Sequence, residues 1–464
     1  MSEFDITISD VQIEFQGYSN RVPLKFGHEV TVRGETVRVF MTVTGQNGTS
    51  ARGCGETPVA VAWSWPSSLP QNVRARRMKQ FCELLLEAWR NEHTCGHPME
   101  IGHHFNCGAL NDCLADANKS DSAQEPMPYL AALVCCSAFD LALYDAYGIL
   151  NKVKVFDTFN ETYMNHDLTY YYTGGSKEEF AGEYPESYFV PRGEVPSKIA
   201  ACHLVGGKDP LSPEDLRGDE PSDEYPVLLR DWIEKDGLFN LKIKLTGNDE
   251  QWDYSRIVKV GEIALETNVE NITADFNCTV EDPAYVCRIL ERLKDEHAEI
   301  YERILYLEQP FPYELDRYPI DVHAVSARKL LLMDESAHDW HFVERGFALG
   351  WTGVALKTCK TLTGAILSLC WARKHDMAIM VQDLTNPKLA IIPHVLLAAN
   401  AGTIMGVEVN SMQFCPDASA QEARIHRGLY RRRNGMIDLS SLGDTGFGYR
   451  LEEIEQCKRA DAEE

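Results

Sequence analysis

Leu241-Lys242-Ile243-Lys244-Leu245 alternates aliphatic and basic residues. Read as a strand, it sends Lys242 and Lys244 to one face and the three aliphatics to the other. Two lysines side by side on a strand of buried character are costly unless something anionic meets them. The chain downstream supplies that partner. Asp275 closes the run Asn271-Ile272-Thr273-Ala274, Glu308 closes Ile304-Leu305-Tyr306-Leu307, and Asp334 closes Leu330-Leu331-Leu332-Met333. A further lysine, Lys357, closes Gly353-Val354-Ala355-Leu356. Five strand-like runs in succession each finish in a charge, in the order base, acid, acid, acid, base.

From Lys244 onward these charges are 31, 33, 26 and 23 residues apart, and each gap holds a helix-like segment of mixed charge, such as Glu281 to Glu299. Strand and helix alternating at this period predict a parallel βα barrel or a doubly wound sheet. In a barrel the C-terminal strand ends surround one mouth. All five charges would then converge on one site.

The pattern extends both ways. Ile199 to Val205 reads as a first barrel strand, Lys208 to Glu224 as a proline- and acid-rich loop, and Tyr225 to Lys235 as the first barrel helix. After Lys357 come a helix from Leu362 to His375, a strand from Met377 to Val381 ending at Gln382-Asp383, a helix from Lys388 to Asn400, and an eighth strand from Thr403 to Val409 bearing Glu408. Upstream, residues 4–64 read as a β-meander with strands Phe4 to Phe15, Glu29 to Val43 and Val59 to Trp65. Its two prominent loops are Gln16 to Gly27, carrying Tyr18 and Phe26, and Gly53 to Pro58, carrying Glu56. Residues 70–94 and 129–150 read as helices, the second apolar nearly all round and so buried against the meander. Cys107 to Met127 reads as an irregular surface insertion. The aromatic stretch 155–197 fits a lid, an interface arm or a packed insert, and Arg424 to Arg433 a solvated basic helix. The expected division is a cap of 1–150 to which 411–464 returns, an insert of 151–197, and a barrel of 198–410.

A net charge of −25 argues against nucleic acid or an anionic membrane surface as partner. The start, Met1-Ser-Glu-Phe-Asp-Ile, lacks the basic and apolar blocks of a secretion signal, and no apolar run reads as long enough to span a bilayer. The 14 cysteines are scattered without a CxxC pair, as expected of reduced thiols. A cytoplasmic protein is the expectation. No glycine pattern fits a phosphate loop, and His103-His104 have no local third ligand for a metal.

Three carboxylates on neighbouring strand ends cannot all stay ionised unless a cation binds them. Oxygen-only ligands favour a hard divalent ion, magnesium first and manganese second. Asn277, two residues past Asp275, is placed to orient such a site. Removing a proton next to a carboxylate builds a dianionic enediolate, which a cation and a nearby ammonium stabilise. A lysine desolvated near other cations serves as a base. Lys244 and Lys357 lie on opposite sides of the three acidic strands, as inversion of a carbon centre or a proton relay needs.

Taken together, Lys242-x-Lys244, Asp275-x-Asn277, Glu308-Gln309-Pro310, Asp334-Glu335-Ser336 and the Lys357 strand resemble the enolase superfamily, and within it the muconate-lactonizing-enzyme branch. The resemblance implies a modified (β/α)7β barrel of TIM type with an N-terminal α+β capping domain. It implies magnesium at Asp275, Glu308 and Asp334, Lys244 and Lys357 as the acid/base pair, and Lys242 on the substrate carboxylate, holding the pKa of Lys244 low. Gln16–Gly27 and Gly53–Pro58 match the family's capping loops, which brings Tyr18 and Glu56 forward as substrate-binding candidates. Met377–Asn386 and the 155–197 insert are further candidates for setting specificity. Glu335 should point away from Asp334 into structural hydrogen bonds, and Asp383 and Glu408 stand between supporting the site and scaffold. The expected activity is racemisation or epimerisation, cycloisomerisation or syn-dehydration of a small carboxylate by a homo-oligomer. The mandelate-racemase branch would want a His-Asp dyad where this chain has Lys357 and Asp383. The long inserts at 107–127 and 155–224 depart from the family, as does Thr361-Leu362-Thr363-Gly364 where a glycine pair is usual. A non-catalytic scaffold and a metal-dependent barrel hydrolase are the alternatives.

Overall fold

In a computed structural model, which describes residues 2–26, 29–120 and 125–463, the chain opens with a three-stranded antiparallel sheet. Its strands are β1 (Ile6–Phe26), β2 (Glu29–Gly45) and β3 (Ser50–Pro58), in the order β1-β2-β3. Gly27, the end of the first expected loop, and residues 121–124 of the expected insertion lie outside the described residues.

The rest of the strand order is a closed parallel barrel. It consists of β4 (Lys198–Val205), β5 (Asn240–Lys244), β6 (Asn271–Asp275), β7 (Ile304–Glu308), β8 (Leu330–Met333), β9 (Gly353–Leu356), β10 (Ala378–Val381) and β11 (Val407–Glu408). Neighbours in sequence are neighbours in the sheet, and β11 returns to pair with β4. Of the two architectures the alternating runs leave open this is the barrel, and with the N-terminal sheet it is the capped TIM-type barrel that the resemblance implies. A last strand, β12 (Met436–Asp438), lies antiparallel on the first residues of β4.

The helix Tyr129–Asn151 joins cap to barrel. Every residue from Leu130 to Gly148 is buried, as an all-round apolar helix requires. By length and composition it is also apolar enough to cross a bilayer, contrary to the expectation that no such run exists; here it is packed inside the protein. Three of its buried polar side chains find partners elsewhere. Ser137 shares a 2.6 Å hydrogen bond with Thr57, Asp140 accepts from Thr363 Oγ1 at 2.7 Å, and Asp145 accepts from the backbone N–H groups of Cys54 and Phe447, both at 2.9 Å.

Several local expectations are corrected. The glycine-rich Gly53–Pro58 is strand, not loop, and Val59–Trp65 is not strand but holds a short helix, Val61–Ser64. The glycines explain it. A Cβ on Gly53 would lie 2.1 Å from the nitrogen of Ala146, and one on Gly55 2.1 Å from the oxygen of Ala138, so β3 lies flush on the long helix because it has no side chains there. The first loop is likewise strand: β1 and β2 run on past β3 as a two-stranded arm, with a register break between Ser19 and Leu24. Within 107–127, Ala109–Ser120 is a regular helix. The 155–197 stretch is a packed segment of 3₁₀ turns with Tyr171, Tyr172 and Phe180 buried. The basic tail run is broken into the helices Ala420–Ile425 and Arg427–Tyr430. Arg432 is buried there, donating from Nε to Asp236 at 2.8 Å.

Candidate active site

Strand register sets the site. Lys244 pairs with Asp275 across β5 and β6, and Asp275 with Glu308 across β6 and β7. Three charged residues therefore share one level at the C-terminal end of the barrel, and side-chain alternation turns all of them inward. Leu332 pairs with Glu308, so Asp334, two residues on, stands just beyond that level. Lys357 follows the last residue of β9.

The five charges do converge. Lys242 Nζ lies 2.5 Å from Glu308 Oε1, 2.9 Å from Glu408 Oε2 and 3.2 Å from Asp275 Oδ2. Lys244 Nζ donates to Asp275 Oδ2 and, at 2.9 Å, to Asn277 Oδ1. Lys357 Nζ stands 3.1 Å from Asp334 Oδ2 and donates to the carbonyl of Asp383 at 2.9 Å. Each flanking lysine thus holds a different carboxylate, and the third lysine sits between.

The electrostatics follow from this packing. Burial opposes ionisation of Asp275, but Lys244 and Lys242 override it and hold its carboxyl below the usual range. Asp334 is likewise held low against burial, by Lys357, Lys360 and Lys242. Glu308 goes the other way: burial, then the charge of Asp275, push it well above the usual range despite Lys242. Burial would lower Lys242 and Lys357, yet their carboxylate neighbours hold both above an ordinary lysine. The site is thus a set of buried acids and amines in mutual compensation.

The secondary candidates sort by contact. Glu408 belongs to the site through Lys242, and Asn410 Nδ2 donates to its other oxygen at 2.7 Å. Asp383 is scaffold: its carboxylate accepts the N–H groups of Leu384, Asn386 and Asn410, while its carbonyl receives Lys357. Glu335 Oε1 accepts from the indole of Trp63 at 2.8 Å, and its carboxyl stays within electrostatic reach of Asp334, Asp275, Lys244 and Lys357. Burial, then Asp334, push Glu335 up to about 7. Glu56 is not at the cavity. It fastens cap to barrel, bound by Arg38 Nη2 at 2.7 Å and by the N–H of Leu389 at 3.3 Å.

A cavity of about 690 Å³ opens above the strand ends, with Lys242, Lys244, Lys357 and Asp334 on its floor and Tyr18, Phe26 and Trp63 from the cap on its walls. Leu384 and Thr385 line it too, whereas none of the described residues of 155–197 does. Sequence reading missed three participants. Gln382 donates to Tyr306 Oη at 3.1 Å and to Glu308 Oε2; the period-2 alternation from Met380 was the available signal. Lys360, buried 3.5 Å from Asp334 Oδ1, follows a strand that had already ended. Trp63 was taken as part of a strand.

Among the described residues, no three Asp, Glu, His or Cys side chains are grouped so as to hold a metal ion as they stand. Ammonium groups fill the space between the acids. The donor set nonetheless fits a hard divalent cation in chemistry: Asp275, Glu308 and Asp334 offer only oxygen, and the buried Asp334 Oδ1 has no hydrogen-bond partner.

Residues 224–455 match the family model described as enolase C-terminal domain-like. The chain belongs to that family. No curated protein matches the sequence. Among solved structures, the chain is similar to the L-Ala-D/L-Glu epimerase of Bacillus subtilis, with 16% identity, TM-score 0.61, and 95% of this chain and 98% of that one covered. The muconate lactonizing enzyme of Mycobacterium smegmatis, complexed with muconolactone, aligns at 15% identity and TM-score 0.59, covering 95% and 96%. A dipeptide epimerase of Enterococcus faecalis V583, complexed with Mg and L-Leu-L-Tyr, aligns at 15% and 0.58, covering 95% and 99%. These neighbours share the enolase-superfamily fold, the capped barrel described above.

Proposed function

We propose that this enolase-superfamily chain removes and returns the proton alpha to a substrate carboxylate, as a racemase or epimerase. The observation that carries the reading is the pair Lys244 and Lys357, whose Nζ atoms hold different carboxylates on either side of Lys242. Lys244 Nζ, as the neutral amine, takes the proton from one face of the carbon. Lys357 Nζ, as the ammonium, returns one to the other face. Lys242 offers its charge to the substrate carboxylate, where negative charge grows as the proton leaves. The cap walls Tyr18 and Phe26 keep water from the carbanionic carbon. Asp275, Glu308 and Asp334 would hold magnesium, which supplies Lewis-acid stabilisation of the same charge. That three-acid, two-lysine arrangement and the epimerases among the structural neighbours support epimerisation over cycloisomerisation or dehydration, which need a ring acceptor or leaving group besides.

The test is α-proton exchange in D2O with magnesium and a library of acids that includes dipeptides. Lys244→Ala should abolish exchange at one face of the substrate while exchange at the other persists. Exchange unchanged in that variant removes Lys244 as base. Ester or amide cleavage without exchange favours a hydrolase, and metal binding with no reaction favours a scaffold.

A further inference from the structure

Trp63 stands on the short helix Val61–Ser64, directly after β3, and lines the cavity. Its ring centroid is 5.3 Å from Lys357 Nζ and 5.7 Å from Lys360 Nζ, within cation–π range of both. Its indole N–H is bound to Glu335 Oε1 at 2.8 Å, a buried contact between cap and barrel across 272 positions of sequence.

We propose that Trp63 is a positioning residue: a cap-borne wall, pinned by Glu335, that fixes where Lys357 presents its amine to the substrate. A lysine chain has four rotatable bonds and a point-like head. Asp334 and the Asp383 carbonyl restrain two of its directions. The indole face closes a third and leaves the cavity side open. Lys244 also meets a cap aromatic, Phe26 at 5.7 Å, but phenylalanine has no polar atom by which the barrel can hold it. The two halves of the proton transfer therefore depend on the cap differently. Lys357 relies on an anchored ring, Lys244 on its own contacts to Asp275 and Asn277. The pairing also gives buried Glu335 a task beside the metal candidates, as the anchor of the cap.

This inference rests on the proposed proton transfer, so its test has two readouts. The first follows deuterium incorporation from each enantiomer of an exchanging acid. Trp63→Ala should slow exchange of the enantiomer served by Lys357 by about tenfold or more, and change the other by less than about twofold. Trp63→Phe, which keeps a ring and loses the N–H, should fall between. Equal losses for both enantiomers, or no loss, overturn the assignment. The second readout needs no substrate: reductive methylation with formaldehyde and cyanoborohydride, mapped by mass spectrometry. Lys357 and Lys360 should label several-fold faster in both variants than in the wild type, with Lys242 unchanged. If the wild type exchanges no acid, the proposed reaction fails, and unchanged labelling of Lys357 then overturns the positioning role on its own.

Discussion

At Lys242 one ammonium answers Glu308, Glu408 and Asp275 at once. Removing one partner of such a buried group strands the others, at a cost of about 3–5 kcal/mol. Lys242 therefore ties the acids together, and Asp275, Glu308 and Asp334 beside it would be the oxygens that hold a divalent ion. The consequence is measurable without any substrate. Magnesium should raise the melting temperature of the wild type, the stabilisation reaching about 2.7 kcal/mol when the ion stands at a hundred times its dissociation constant. Asp334→Ala should show no such rise in differential scanning fluorimetry. An equal rise in that variant would place the ion elsewhere. Thr361 is unusual in another way. It adopts φ +66 where glycine is the ordinary choice, and its hydroxyl accepts from the N–H of Gly364 at 3.0 Å. The threonine thus trades backbone ease for a cap on the following helix.

Among the elements, the helix Pro98–Cys107 shows how local chemistry carries a pH dependence. His97 is its N-cap, accepting from the N–H of Met99 on Nδ1 and meeting Thr158 through Nε2 at 3.0 Å, with Glu100 completing a capping box. Burial pulls the His97 ring down to about 3, so it is neutral when folded and takes a proton near 6.5 only when unfolded. Because the unfolded chain binds more protons, stability is whole above pH 6.5 and falls as the pH drops toward 3. Between pH 7 and 5 the wild type should lose about 2 kcal/mol more than His97→Asn, measured by urea titration at both values. Parallel losses would show that the ring does not titrate on unfolding. This cap was invisible beforehand, because histidine is not a usual N-cap and its partner Thr158 is remote in sequence. Strands β5 to β9 were legible for the opposite reason: each is a short aliphatic run ended by a charge, and register needs nothing more to align Lys244, Asp275 and Glu308. β3 was misread because glycine signals a loop unless the opposing helix is known. Gln382 was lost because it stands one residue past the strand end, Val381 in the reading and in the structure alike, and Trp63 because the alternation of Val59–Trp65 reads as a strand.

Across the whole molecule, the arm formed by β1 and β2 reaches over the barrel mouth and is clasped there. Arg21 forms a two-pronged pair with Asp223, at 2.8 and 2.9 Å, and its Nη2 donates to the Tyr225 carbonyl at 3.3 Å. At the arm's base, Lys388 Nζ donates to Gln16 Oε1 at 2.9 Å. The loop 208–224, an insertion without evident purpose in sequence, is thus the far anchor of the cap. A partly exposed pair of this kind contributes about 1 kcal/mol, so Arg21→Ala should speed amide exchange of residues 17–26 by about fivefold, read by mass spectrometry. Unaltered exchange would mean the arm is held from its base alone. The ring of strands closes through a very short element, since β11 is the two residues Val407 and Glu408, meeting β10 at one pair and β4 at two. Glu408 is also the residue that reaches over β4 to Lys242 on β5. The same carboxylate therefore latches the barrel's hem and tunes its reaction chamber. Whatever occupies that chamber will tug on the seam, and the enzyme's resistance to unravelling becomes a gauge of what it has bound.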